Sequence, residues 1–485
     1  MQKKDDVYDL IHSMDASEKR YFKRYSSIHS DKKDSVSIQI FDVLDKMKSY
    51  SEEKLKSYFK DQKTAQHLHV SKNYLLKNLL RSLRSYHQSF SKESELKDIL
   101  VEIEILSQKK HYALAYKILT KAYATAYEYE LFLQILEILQ WISRIQFYDP
   151  TLKLEEIQFN ENELSEILEV FTWDAKLEAS LYHWLQYFQN PSAQRPQMID
   201  LPPKQHAVYR FVSTKSLILF IQALYNQLNG NFLQSFEELK QAEKLFLDKK
   251  ELIAEKPTRY FLLLALQVDT AIQLNYFPEA LQTILNAKAI YDSLKTHKIK
   301  AIKDDFDANF VHKLILIYNS IGKFDQSVEF FEAFKEKNPT YHLIFPEHVL
   351  LHIWIQVAYA FWAAAQYEKV LQYLEFIRST SFENIDYHLP FIFWLDLLTN
   401  VKLQNTDKVS YKLDLFIQWL NQRIGHQNLI NFLNDIQPWL FKNEKSALLK
   451  YQNQSLKFLE LQNFNLLLWL NAEIKGVSML EFLQN

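Results

Sequence analysis

The sequence predicts an all-α protein built from stacked helical hairpins, an α-solenoid, with a small helical module at its N-terminus. Three observations support this prediction. The 485 residues include only 4 glycines and 11 prolines, so tight turns and broken helices are few. With 34 phenylalanines and 28 tyrosines, the chain has large apolar surfaces for packing between helices. A short pattern of aromatic, small and aliphatic residues also returns along most of the chain, as expected of a repeat protein.

The clearest copy of this pattern lies in residues 228–246. Phe232 is followed at offsets of 3, 7 and 10 residues by Ser235, Leu239 and Ala242. These offsets place all four side chains on one stripe of a single helix. Because the stripe contains small residues, where a second helix can cross closely, it predicts a packing face.

Other segments repeat the stripe, in full or in part. One hairpin cannot bury such a face alone, whereas stacked hairpins can. The additional stripes are Tyr112, Ala115, Leu119 and Ala122; Phe277, Ala280, Ile284 and Ala287; Phe324, Ser327, Phe331 and Phe334; Tyr367, Val370, Leu374 and Ile377; and Phe464 with Leu467.

This pattern resembles the second helix of the tetratricopeptide repeat (TPR), which opens with Gly-x-aromatic-x-x-Ala and continues to a further Ala seven residues later. The corresponding residues here are Gly230, Phe232, Ser235 and Ala242. Successive aromatic anchors from Phe232 to Tyr367 stand 45, 47 and 43 residues apart, against about 34 in the family. The helices or their connections must therefore be longer. The resemblance implies a divergent TPR-like array that binds a protein or peptide.

Residues 1–90 are predicted to form a separate, basic helical module. They carry 18 Lys and Arg against 12 Asp and Glu, whereas residues 91–485 carry 39 against 47. Asp15-Ala-Ser-Glu18 is a capping box that opens the helix SEKRYFKRYSSI. This segment, ahead of a helical-repeat body, also resembles a group of uncharacterised bacterial TPR-like proteins. That resemblance implies the architecture and no particular activity.

A basic stretch within the module suggests an alternative function. Residues 54–92 contain nine Lys and Arg and a single acidic residue, a composition typical of nucleic-acid-binding surfaces. Two helices joined by residues 60–69 could form a helix-turn-helix, although that turn is long and lacks glycine. A solvated face, or one docked on the acidic repeats, explains the same charges. The candidate nucleic-acid contacts are Lys72, Lys77, Arg81 and Arg84.

Residues 91–485 are predicted to form the repeat array. A proline-rich loop at 189–203 is expected to interrupt it and to act as a hinge between two halves. Asp149-Pro150 is predicted to start a helix, as are Pro257, Pro278 and Pro346, because proline is tolerated in a first helical turn. The apolar run 349–365 is interrupted by polar residues, and we expect it to be a buried helix.

The sequence offers little for catalysis, metals or cofactors. It has no cysteine and no phosphate-binding or nucleophile-elbow motif. His348 and His352 form an i, i+4 pair without a visible third ligand, and Asp304, Asp305 and Asp307 fit a helix N-terminus better than a calcium loop. We therefore expect no catalytic residue, no metal and no cofactor.

By elimination, function is expected on a surface. In a TPR-like array the first helix of each hairpin lines the concave groove, where polar side chains hold a peptide or a partner helix. Three glutamines at similar offsets before their anchors could form a ladder along this groove. The candidate groove residues are Arg210, Lys215, Gln222, Arg259, Gln267, His312, Lys313, His348, His352 and Gln356.

The sequence thus predicts a non-enzymatic protein- or peptide-binding scaffold. We expect no signal peptide and no membrane span, and the lack of cysteine suits a reducing compartment, so a cytoplasmic location is expected. The alternative is a nucleic-acid-binding regulator, in which the basic module binds DNA or RNA and the repeats sense a partner or peptide.

Overall fold

A computed structural model describes residues 5–28, 34–59, 67–87, 91–154, 156–189, 194–294, 302–380, 382, 385–423, 425–452, 458, 461 and 464–484. Every regular element in these ranges is a helix, which confirms the predicted all-α class. None of the helices described is long and apolar enough to cross a membrane. The chain divides into two compact units, residues 1–167 and residues 168–485.

The first unit starts with five helices that enclose a core of their own. The capping box at the start of the second helix is confirmed: the Asp15 carboxylate accepts from Glu18 N at 2.8 Å, and Glu18 accepts from Asp15 N at 2.7 Å. Buried Leu75 and Leu79 pack the fifth helix, here called the basic helix, onto this core. The five helices are Asp6–Ser13, Ala16–Ile28, Asp34–Lys46, Glu52–Tyr58 and Leu68–Tyr86.

Three helices of similar length follow in the first unit. Hairpin A joins Lys92–Gln108 to Tyr112–Glu128, and Phe132–Tyr148 packs against both of its helices. The prediction that Asp149-Pro150 starts a helix is wrong, because a helix ends there and the next, Glu161–Gln189, begins eleven residues later. Residues 194–203 carry no regular structure, as predicted for the proline-rich loop. Its residues 190–193 lie outside the described ranges.

The second unit is dominated by helix pairs that pack on one another in chain order. Hairpins B to F are, in turn, Val212–Leu228 with Phe232–Asp248, Pro257–Gln273 with Phe277–Ser293, Lys303–Ser320 with Phe324–Lys337, Glu347–Ala363 with Tyr367–Ser379, and Leu389–Lys402 with Thr406–Asn421. The shorter helices are Glu251–Glu255, Tyr341–Ile344, Gln427–Asp435, Gln437–Lys442, Ser446–Leu449, Leu466–Lys475 and Met479–Gln484, with 3-10 turns at Ala207–Arg210 and Ile385–Tyr387.

All these hairpins use the same turn. The second residue after the first helix has a positive φ, and the second helix starts two residues later. The N–H of the residue after the positive-φ position donates to the carbonyl five residues back at 2.8–3.0 Å, which closes a Schellman-type cap. The same turn links hairpin A to Phe132–Tyr148. The positive-φ residues of these turns are Lys110, Glu130, Gly230, Asn275, Gly322, Ala365 and Gln404.

The stripes predicted from the sequence form the buried faces of the second helices. Ser235, Leu239 and Ala242 are fully buried, as are Ala115 and Ala280 at the equivalent places. The prolines at 257 and 278 lie in first turns and Pro346 caps a helix, as predicted. The run 349–365 falls in the buried helix Glu347–Ala363.

The last predicted stripe is wrong. Phe464 precedes its helix, because Asn465 is the N-cap residue and its side chain accepts from Leu468 N at 3.0 Å. Leu467 is therefore exposed, whereas Phe464 itself is buried among aromatic rings of hairpins E and F.

We predict that Ala365→Gly stabilises the protein by about 0.5–1 kcal/mol, because alanine strains the left-handed region that this turn requires. The matched change is Gly230→Ala, at the same turn position and with no atom near the added Cβ; it should destabilise by about 1 kcal/mol. Urea unfolding followed by circular dichroism measures both. Changes of opposite sign in the free energy of unfolding of the two variants support the strain argument, and a loss of stability in Ala365→Gly would contradict it.

Candidate functional site

Three histidines from successive hairpins lie side by side in the second unit. We call them the histidine column: His312 in the first helix of hairpin D, His352 in that of hairpin E, and His388 at the N-cap of hairpin F. The ring centroids of His312 and His352 are 5.1 Å apart, and those of His352 and His388 are 4.6 Å apart. All three rings are half-buried.

Burial makes the histidine column uncharged at neutral pH. Desolvation, the ammonium of Lys313 and the neighbouring rings hold the pKa of His312 well below its ordinary value of 6.5. Desolvation, followed by the effects of His388, Lys313 and His348, lowers the pKa of His352 to about 4. Desolvation also lowers the pKa of His388. At neutral pH, each neutral imidazole has one donor and one acceptor nitrogen.

A cavity of about 540 Å³ opens further along the first helices of hairpins D and E, and residues of hairpin C also line it. Asn319 lies seven residues after His312, and Gln356 lies four after His352, so each shares a helix face with a member of the histidine column. We call it the carboxamide cavity, because five of its lining residues are Gln273, Asn275, Asn319, Gln356 and Asn465. The rest of the lining consists of Ile272, Phe277, Leu316, Ser320, Tyr359 and Phe464.

The polar groups of the cavity are only partly paired. Asn319 is 4% exposed and its Nδ2 donates to the main-chain O of Gln356 at 2.8 Å and to its Oε1 at 3.0 Å. Among the described residues, Asn319 Oδ1 has no hydrogen-bond partner. Asn465 N donates to the hydroxyl of Tyr359 at 3.1 Å. The cavity wall therefore already binds one main-chain N–H, whereas Asn319 Oδ1 is enclosed by protein atoms and is not accessible from the cavity.

Two candidate groove residues contribute to internal packing instead. Arg259 is 9% exposed; its guanidinium forms an ion pair with Glu178 and also contacts Ser213 O. Gln267 is 2% exposed and donates to Glu243 Oε2 at 2.9 Å. Because Gln267 points towards the second helices while Gln356 meets Asn319, the glutamines do not form one open ladder.

The other candidate groove residues differ in solvent exposure, in pairing and in their position in the fold. Lys215 and His348 are exposed and Gln222 is half-buried. Lys313 forms an ion pair with Asp269. Arg210 lies in the 3-10 turn Ala207–Arg210, outside the first helix of hairpin B. The structure therefore brings together His312, His352 and Gln356 from the predicted set.

His388 and Asn319 were not among the site residues predicted from the sequence. His312, His352 and His388 precede the starts of their second helices, at 324, 367 and 406, by 12, 15 and 18 residues. The offset thus increases by about one helical turn per hairpin, and a search at a constant offset misses the column. A search that allowed this drift would have found His388.

A second cavity, of about 760 Å³, lies mainly between hairpins D and E and has aromatic walls that include Tyr341, Trp354, Tyr373 and Phe376. Trp354 Nε1 donates to the Tyr341 hydroxyl at 3.1 Å, and Lys335 contacts the Tyr373 hydroxyl at 3.5 Å. The lining also includes Glu332, Glu336 and His342.

The basic helix exposes part of the predicted nucleic-acid face. Lys77 and Arg81 are exposed, and Arg84 pairs with Asp98 of hairpin A at 2.6 Å. Lys72 lies apart from this face, because its ammonium is bound by the Asp5 carboxylate and by the Tyr50 hydroxyl. The turn of the predicted helix-turn-helix falls largely in residues 60–66, outside the described ranges.

Acidic groups and histidines do not converge as metal ligands in the described part of the chain: no group of three or more His, Asp or Glu there could hold a metal ion. Asp304 and Asp305 lie in the first turn of Lys303–Ser320, where carboxylates complement the helix dipole, and Asp307 pairs with Lys303 at 3.1 Å.

We predict that the free energy of unfolding falls as the pH drops from 6.5 towards 4. In this range the unfolded chain binds protons on His312 and His352, and the folded chain does not. Replacing His352 by glutamine should weaken this dependence, as measured by urea unfolding at about pH 7 and about pH 5. His342→Gln, at an exposed position, is the control and should keep it. An unchanged pH dependence in His352→Gln would contradict the prediction.

Comparison of the chain with protein-family models, with curated proteins and with solved structures found no match in any of the three.

Proposed function

We propose that this chain is a non-enzymatic, cytoplasmic scaffold that binds a protein or peptide on the first helices of a TPR-like solenoid. The carboxamide cavity is the observation that carries the proposal. It lies along the first helices of hairpins C, D and E, the surface on which a TPR-like array holds its ligand. Consecutive hairpins also pack on one another, as the repeats of a solenoid do.

The chemistry of the cavity favours binding over a reaction. The polar side chains among its described lining residues are carboxamides and hydroxyls, which donate and accept hydrogen bonds without transferring protons near neutral pH. The nearby imidazoles are neutral and their pKa values lie below the ordinary value of 6.5, which makes them weak bases. Such a surface suits recognition of a polar, uncharged ligand.

Filling the cavity tests the proposal. Ser320 is exposed, ends its helix and lines the cavity, so Ser320→Trp should occupy the binding space without entering the core. Random peptide segments of about 12 residues, which span roughly 40 Å when extended, are displayed and selected for binding to the wild-type chain. We expect their affinity for Ser320→Trp to be at least about tenfold lower, a difference of about 1.4 kcal/mol.

The matched control is Ser293→Trp. Ser293 also ends a helix, is exposed, and donates its hydroxyl to a carbonyl of its own helix, as Ser320 does. It should keep wild-type affinity. Full affinity in Ser320→Trp would remove this cavity from the proposal, and failure of the wild-type chain to select any segment would remove the peptide-binding function itself.

A second candidate function is nucleic-acid binding by the N-terminal module. Lys77 and Arg81 are exposed one turn apart on the basic helix. They lie beside a cavity of about 390 Å³ whose lining includes Arg81, Arg84 and Tyr25, together with the carboxylates of Asp98 and Glu102. Cations one turn apart can contact adjacent phosphates, and an aromatic side chain can stack on a base.

This candidate predicts salt-dependent binding of a labelled single-stranded oligonucleotide, measured by fluorescence anisotropy. Lys77→Gln and Arg81→Gln should each reduce the slope of log K against log salt by about one, because one phosphate contact is lost. Lys244→Gln, at an exposed position in hairpin B, should leave the slope unchanged. If the slope is the same in all variants, the basic helix does not carry the binding.

A further inference from the structure

The composition of the carboxamide cavity limits the kind of ligand that fits it. Its lining contains five carboxamides and the hydroxyls of Ser320 and Tyr359, and none of its described lining residues is charged. Lys313, in the same first helix as Asn319, forms an ion pair with Asp269. A ligand that brought a charge into this space would lose its hydration without gaining a counter-charge.

Carboxamides match the peptide group in their hydrogen-bonding capacity. Each side-chain amide offers an oxygen acceptor and an NH₂ donor, and each peptide unit offers one N–H and one C=O. A row of carboxamides can therefore pair with successive main-chain groups of an extended segment, whatever its side chains are. Three hairpins contribute to this row, with Gln273 and Asn275 from hairpin C, Asn319 from hairpin D and Gln356 from hairpin E.

One contact within the chain illustrates this mode of binding. The main-chain N–H of Asn465 donates to the Tyr359 hydroxyl, so the wall already holds one peptide N–H. The rings of Phe277 and Phe464 flank these polar groups with apolar surface.

From these observations we infer that the carboxamide cavity binds the main chain of an extended, uncharged internal segment of a polypeptide. A charged chain terminus or a phosphorylated or acidic motif does not fit it. This inference rests on the proposed peptide-binding function and adds the chemical class of the ligand to it.

The test uses the full chain and a library of random segments of about 12 residues, each displayed between two folded carrier domains so that neither segment end is free. Selection is run at about 0.15 M and about 1 M salt, where charge interactions are screened beyond roughly 8 Å and 3 Å. We expect the selected segments to be depleted in Asp, Glu, Lys and Arg, and to bind with the same affinity at both salt concentrations.

The cavity variants are chosen to preserve folding. Asn275 has a φ of 59°, so Asn275→Gly keeps the turn while removing a carboxamide, and Gln273→Ala changes an exposed side chain. The double variant should bind the selected segments at least about tenfold more weakly. Gln404→Gly, at the same turn position in hairpin F and outside the cavity lining, is the matched control and should bind normally.

The outcomes separate this inference from the function on which it rests. Selected segments that are rich in charge and weaken with salt would overturn the inference while leaving peptide binding intact. Full affinity in the double variant would also overturn the inference while leaving peptide binding intact. If no segment binds the wild-type chain at either salt concentration, the proposed peptide-binding function fails, and this inference fails with it.

Discussion

The architecture depends on one backbone constraint, a single left-handed residue between consecutive helices. The three-residue turn around it reverses the chain so quickly that each pair of helices packs along its whole length. Two of the seven such turns described use glycine and one uses asparagine, which adopts this region readily, so the other four hold a strained residue. Burial of the aliphatic and alanine stripe of each second helix offsets that strain.

Buried polar groups fix how neighbouring hairpins meet. Asp396, only 1% exposed, lies in hairpin F and pairs with Arg378 of hairpin E and with Lys412 of its own hairpin. Asn400 Nδ2 donates to its carboxylate at 2.9 Å. A buried carboxylate requires such partners, because an unpaired charge in the interior is costly. Arg259 of hairpin C is likewise a buried charge with a partner, Glu178 of helix Glu161–Gln189. Because an unpaired buried charge is costly, the Arg378–Asp396 pair favours one register of hairpin E against hairpin F.

The candidate site follows from that register. The first helices bring half-buried imidazoles together at one level and carboxamides a turn or two further along. From hairpin to hairpin, the histidine lies about one helical turn further from the start of the second helix, so the histidine column runs obliquely to these helix starts. The result is a polar surface with little net charge, beside charged groups that are already paired. This surface supports the proposal of hydrogen-bonded ligand recognition.

The helices and most of their buried faces could be predicted from the sequence, because periodicity, caps and first-turn prolines are local properties. The positions of His312, His352 and Gln356 on first helices were also predicted. Which polar residues are internal depends on contacts between distant parts of the chain: Arg259 and Gln267 pair with residues 81 and 24 positions away. The same is true of His388 and Asn319 in the site, because their neighbours come from other hairpins. Long-range pairing depends on how hairpins stack, and a local pattern carries no information about that.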